Sequence, residues 1–68
     1  MADWPNEKYA YNSSNLPTYR GLNMDIKANN DDPGWHIFKY YYDSNNNTTQ
    51  IKGALIGKWS ERDSLGWG

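Results

Sequence analysis

Few of the 68 residues carry side chains that could do chemistry. Nucleophilic catalysis needs a Ser, Thr or Cys beside a positioned base, usually His. The one histidine, His36, lies between Trp35 and Ile37 in a strongly β-forming stretch, where it reads as a strand residue with one polar partner. Paired carboxylates can do acid–base work on a glycosidic bond. Asp31 and Asp32 are adjacent, however, and extended backbone turns neighbours to opposite sides. No glycine-rich phosphate loop is present. The expectation is a protein that is not an enzyme, with no catalytic residue and no cofactor.

Asp43, Asn45 and Asn47 match the first three oxygen-ligand positions of a calcium loop. The match ends there. Thr48 stands where glycine makes the sharp turn, and Ala54 where a bidentate glutamate closes the site. Absence of cysteine and the single histidine exclude thiolate zinc sites and multi-histidine sites. The DSNNN run therefore reads as a turn, and no metal is expected.

The elements that position these residues follow from alternation and punctuation. Trp35–Tyr42, WHIFKYYY, is the most strongly β-forming run. Trp35, Ile37, Lys39 and Tyr41 line one face; His36, Phe38, Tyr40 and Tyr42 line the other. Neither face is plainly polar, which predicts cover from inside on one face and from a partner on the other. Thr48–Ile56 reads as the returning strand of a hairpin, with Gly53 and Gly57 predicting a bulge or a close backbone approach. Pro17 to Lys27 reads as an earlier strand on the alternation of Leu22, Met24 and Ile26, and residues 28–34, ANNDDPG, as a turn. Ser60-Glu61-Arg62-Asp63 suits one helical turn capped by Ser60, followed by Leu65 and Trp67 as docking residues.

Residues 1–16 show no sustained period and read as an extended N-terminal arm; residues 17–68 form a small β domain. The predicted class is all-β: a small antiparallel sheet built on a central aromatic hairpin, with the arm at one end and a short turn at the other. Chains of this size bury only about 60% of the surface they could expose. Lacking disulfides, such chains gain stability by association.

Four Trp, six Tyr and one Phe make up 16% of the chain, more than so small a core can hold. Aromatic side chains give large contact area at low entropy cost, which suits interfaces. Trp4, Tyr9 and Tyr11 on the arm, Trp35, Phe38, Tyr40 and Tyr42 on the hairpin, and Trp59 and Trp67 on the tail are the candidate interface residues. The cations are dispersed along the chain and the formal net charge is −1, so the clustered Lys and Arg of a nucleic-acid protein are missing. No run approaches the ~20 apolar residues that cross a bilayer. MADWPNEKYAYNSSN lacks the basic start and apolar run of a signal peptide, which predicts a protein that matures in the cytoplasm where it is made.

From Tyr19 to Trp67 the chain carries YRG, then WHIFKYYYD over 35–43, NNTTQI over 46–51, GKW at 57–59 and RDSLGW at 62–67. This pattern resembles a group of short structural proteins of tailed bacteriophages. The resemblance implies a virion component, either capsid decoration (cement) or a neck, tail or fibre part. It also implies that the partners are capsid or tail subunits, with the chain present as a homo-oligomer or in many copies. It carries over no catalytic residues. Tyr42-Asp43…Asn46…Thr49 is also similar to one unit of the YD repeats of bacterial surface and toxin shells. Those come in long arrays, and no second unit stands out in this chain.

Two other functions suit the same residues. One is a carbohydrate-binding module in which Tyr40, Tyr42, Trp59 and Trp67 stack on sugar rings. The other is a small phage inhibitor that binds one host protein as a monomer. Aromatics sealed against protein favour the virion role; aromatics in an exposed row favour sugar.

Overall fold

The computed structural model describes residues 4–67. Four strands, β1 (Asn6–Tyr11), β2 (Pro17–Asn23), β3 (Trp35–Tyr42) and β4 (Thr48–Gly57), form one antiparallel sheet in the order β1-β2-β3-β4. A 3-10 turn, Trp59–Ser64, follows. The chain is all-β, as its alternation predicts.

The first strand lies inside the segment read as an arm. Residues 6–11 pair along β2, with Lys8 opposite Gly21 and Tyr9 opposite Arg20. Asn6, Lys8 and Ala10 are half-buried, whereas Glu7, Tyr9 and Tyr11 are exposed. The pattern is inverted, with large aromatics outward and polar or small residues inward, so hydrophobic periodicity could not reveal this strand. The part of the expected arm at residues 1–3 lies outside the described residues.

The aromatic hairpin is not the centre of the sheet. The inner strands are β2 and β3; β4 is an edge and carries no aromatic residue. β2 also ends sooner than its alternation suggests. The side-chain oxygen of the buried Asn23 accepts the Asp25 N–H at 2.9 Å, and that of Asp25 accepts the Lys27 N–H at 2.9 Å. These local bonds turn the chain away from the ladder. Met24 and Ile26, expected in the strand, are instead exposed on the connecting loop. The Asn6 amide holds that loop by donating to the carbonyls of Asp25 and Ala28 at 3.1 and 3.2 Å.

Hairpin loops 12–16 and 43–47 share one construction. In each, the first residue's N–H donates to the carbonyl of the fifth, from Asn12 to Leu16 at 2.9 Å and from Asp43 to Asn47 at 3.0 Å. The fourth residue, Asn15 or Asn46, is left-handed, with φ of 63° and 65°. Its N–H donates back to the first carbonyl at 3.0 Å in both loops. The side-chain oxygen of Asn12 accepts from Ser14 and Leu16, as that of Asp43 accepts from Asn45 and Asn47. Asn tolerates the left-handed region that a β-branched residue avoids.

The core covers one face of the sheet. Trp35 and Ile37 are fully buried, and Trp59 and Trp67 close over them with Leu55 and Leu65. The Trp35 and Trp59 rings meet at 6.0 Å and 48°. Two of the core indoles have partners: Trp35 donates to Asn29 O at 3.0 Å, and Trp67 to Arg62 O at 2.6 Å. Lys52 Nζ donates to Trp67 O at 2.9 Å and ties the tail to β4. Leu65 and Trp67 dock, as expected. The 3-10 turn is not capped by a side chain; Ser60 lies within it and donates its N–H to Asn30 O at 2.9 Å.

Candidate functional site: the open face of the sheet

Residues directly opposite on neighbouring strands share a face, so the ladders sort every strand side chain. One row runs Glu7, Leu22, His36, Ile56, and the next Tyr9, Arg20, Phe38. In that second row β4 bulges, with Gly53 and Ala54 together opposite Phe38. A third row holds Tyr40 and Ile51, and Tyr11 projects from the same side of β1. The first row is closed at Leu22, which is buried, beside His36 and the half-buried Trp4, whose rings lie 4.8 Å apart; towards the two edge strands the face is open. Tyr9, Tyr11, Ile51 and Ile56 are 42%, 60%, 56% and 64% exposed.

Gly53 explains the bulge expected there. Its φ is +125°, and a Cβ would stand 2.6 Å from Ile37 O. Only glycine fits.

Charge is segregated between the two faces. The strand lysines Lys8, Lys39 and Lys52 all point to the covered face. Lys8 lies over Trp35, Lys39 over Tyr19 and Tyr41, and Lys52 over Tyr41. Strand charges on the open face are confined to Glu7 and Arg20, and these neutralise each other. Arg20 donates through Nε at 2.8 Å and lies at 2.7 Å through its terminal nitrogen, both to one Glu7 oxygen. Tyr9 donates its hydroxyl to the same oxygen at 3.1 Å. The Glu7 bond raises the Arg20 pKa, while burial first and then the Glu7 bond push the Tyr9 phenol above its usual value. Tyr9 stacks on Tyr11 at 6.1 Å and 29°.

The expected interface residues divide in two. Trp35, Trp59 and Trp67 are core, because the tail folds back over the sheet and seals them against one another. Tyr42 is half-buried and donates its hydroxyl to Pro17 O at 2.6 Å, fastening β3 to β2. Trp4 is half-buried and lies 4.8 Å from the His36 ring. Tyr9, Tyr11, Phe38 and Tyr40 share the open face. Glu7, Arg20, Ile51 and Ile56 join them without having been singled out; the signal available was their strand phase, once β1 and the bulge are known.

Trp59 and Trp67 cannot form a sugar-stacking surface with Tyr40 and Tyr42, since both indoles are buried. The DSNNN loop uses the Asp43 carboxylate on backbone N–H groups, chiefly that of Asn47, which hold its pKa below the usual value. Among the described residues no three His, Cys, Asp or Glu side chains gather to hold a metal, and no helix is long and apolar enough to cross a membrane.

Comparison with known protein families, with curated proteins and with solved structures finds no match for this chain.

Proposed function

We propose that this chain is a non-enzymatic structural protein of a bacteriophage particle, present in many copies and attached to neighbouring capsid or tail subunits through the open face of its sheet. The observation that carries the reading is the gathering of Tyr9, Tyr11, Ile51 and Ile56, all exposed, on one charge-balanced face. Exposed apolar side chains grouped on one face mark docking sites. Tyrosine is enriched where such surfaces are sealed against protein, and central lysine is depleted; the strand lysines here all point the other way. The setting in a virion rests on the resemblance of residues 19–67 to phage structural proteins. Mass spectrometry of purified particles tests it: the reading expects the chain at a stoichiometric ratio to the major subunit, and its absence from particles overturns the reading.

A carbohydrate-binding reading draws on one observation, the stacked and exposed pair Tyr9–Tyr11 beside the Arg20–Glu7 pair. Saccharide titration followed through the Tyr9 and Tyr11 ring resonances separates the two. Shifts at these rings with no incorporation into particles would favour sugar.

A further inference from the structure

The hairpin β1–β2 recurs as β3–β4. Lys8, Tyr9, Tyr11, Ser13, Asn15 and Thr18 reappear at one constant spacing as Lys39, Tyr40, Tyr42, Ser44, Asn46 and Thr49, and Asn12 is answered by Asp43. The two loops share their hydrogen bonds and their left-handed Asn. The faces agree as well: Lys8 and Lys39 lie over rings of the covered side, while Tyr9 and Tyr40 point to the open side. A sideways step of two strands therefore carries the first hairpin onto the second without exchanging faces.

The two units join through β2 and β3, with Tyr19 opposite Lys39 and Arg20 opposite Phe38. In the repeat, β4 is the counterpart of β2, and β1 the counterpart of β3. The outer edge of β4 thus matches the edge that β2 offers to β3, and the outer edge of β1 matches the edge that accepts it. Both are ends of the sheet. Unpaired strand edges are templates for pairing with another chain.

We propose that copies of this chain join head to tail, β4 of one pairing antiparallel with β1 of the next as β2 pairs with β3. The partner is a second copy, whatever covers the open face. The repeat sets the register. Tyr19–Lys39 becomes Gln50 opposite Lys8 of the next copy, and Arg20–Phe38 becomes Ile51 opposite Glu7. Residues 48–52, the first half of β4, then lie along residues 6–10 of β1, and Lys52 meets Asn6, the first residue of that strand. Pro5, which has no N–H to give, falls level with the Gly53–Ala54 bulge, where the β4 ladder is already broken. Such a joint is heterologous, so it extends into rows or closes into rings rather than stopping at a dimer. It is also short, which makes it weak in dilute solution and effective where copies are already held side by side.

The chain has no cysteine, which makes disulfide trapping clean. Gln50→Cys and Lys8→Cys chains are mixed at high concentration in a glutathione redox buffer, and linked dimers are counted by mass spectrometry. Ile51→Cys with Glu7→Cys repeats the test on the opposite face. Gln50→Cys with Glu7→Cys is the control, because those positions face opposite sides. An amide NMR spectrum of each reduced variant establishes its fold, and two registers are used so that either can decide. At least tenfold enrichment of either matched pair over the control and over like-with-like dimers is expected. No enrichment in either matched pair where at least one folds, or dominance of like-with-like dimers, overturns the joint. Neither result bears on whether the chain is found in particles, so the two proposals fail separately.

Discussion

The Trp59 indole sits directly on Gly21: a Cβ added to Gly21 would stand 2.5 Å from Cε3 of Trp59 and 2.6 Å from Cζ3. The tail can fold over the sheet because an inner strand leaves this seat empty. Arg62 holds the other side of the arrangement, its guanidinium 4.9 Å from the Trp59 ring and 5.6 Å from that of Tyr19.

Gly21→Ala should therefore destabilise the fold by about 1–3 kcal/mol, as overpacking does. Trp59→Ala should cost about 3–5 kcal/mol through the cavity it leaves. The two share one contact, so urea denaturation of the double variant should show less than the sum. Strict additivity would mean that the ring is not seated on the glycine.

The Asp43 loop makes stability depend on acidity in a defined direction. Bonds from the Asn47 and Asn45 N–H groups hold the folded Asp43 pKa below its ordinary 3.8. A depressed folded pKa contributes stability that is present above the unfolded value and lost as pH falls through the folded one. Wild type should lose stability relative to Asp43→Asn as pH drops below about 4, and the two should run parallel near neutrality. Parallel curves through the acid range would remove the carboxylate from the account. Added calcium or chelator should leave both melting curves unchanged.

Glu7→Gln should lower the Tyr9 titration toward the ordinary phenol range, because one of its two main upward influences is removed while burial remains. Ultraviolet titration of the phenolate resolves this against the same variant carrying Tyr9→Phe. Since the Arg20–Glu7 pair is more than a third exposed, the stability change should stay within about 1 kcal/mol.

Much of this was legible in the chain. The strand Trp35–Tyr42 and the docking of Leu65 and Trp67 follow from alternation and from turn chemistry, but the burial of Trp35 in the core, where an interface was expected, does not. The course of residues 6–11 does not, because Tyr9 and Tyr11 face water and Lys8 faces the core side, the reverse of the usual code. The role of Met24 was likewise hidden: its phase continues the strand, but the Asn23 side chain ends it first. The repeated hairpin, of which no second unit stands out in the sequence, becomes visible only in the hydrogen bonds and left-handed Asn that the two loops share. Its halves diverge where Gly21 seats Trp59 and where Gly53 bulges, which masks the match beyond the loops.

Free solution should show little cost for changes on the open face. Ile56→Lys and Tyr9→Ser remove exposed surface, so each should alter stability by no more than about 0.5 kcal/mol. A loss above about 2 kcal/mol would mark these side chains as core.

The central claim is that the open face is the attachment surface, and oxidative footprinting of the chain, free and in purified particles, tests it most directly. Tyr9, Tyr11, Ile51 and Ile56 should react readily in the free protein and become protected in the particle, while Met24 and Ile26 on the loop serve as internal references. If the four residues stay as reactive in the particle as in free solution, the open face is not where the chain is held.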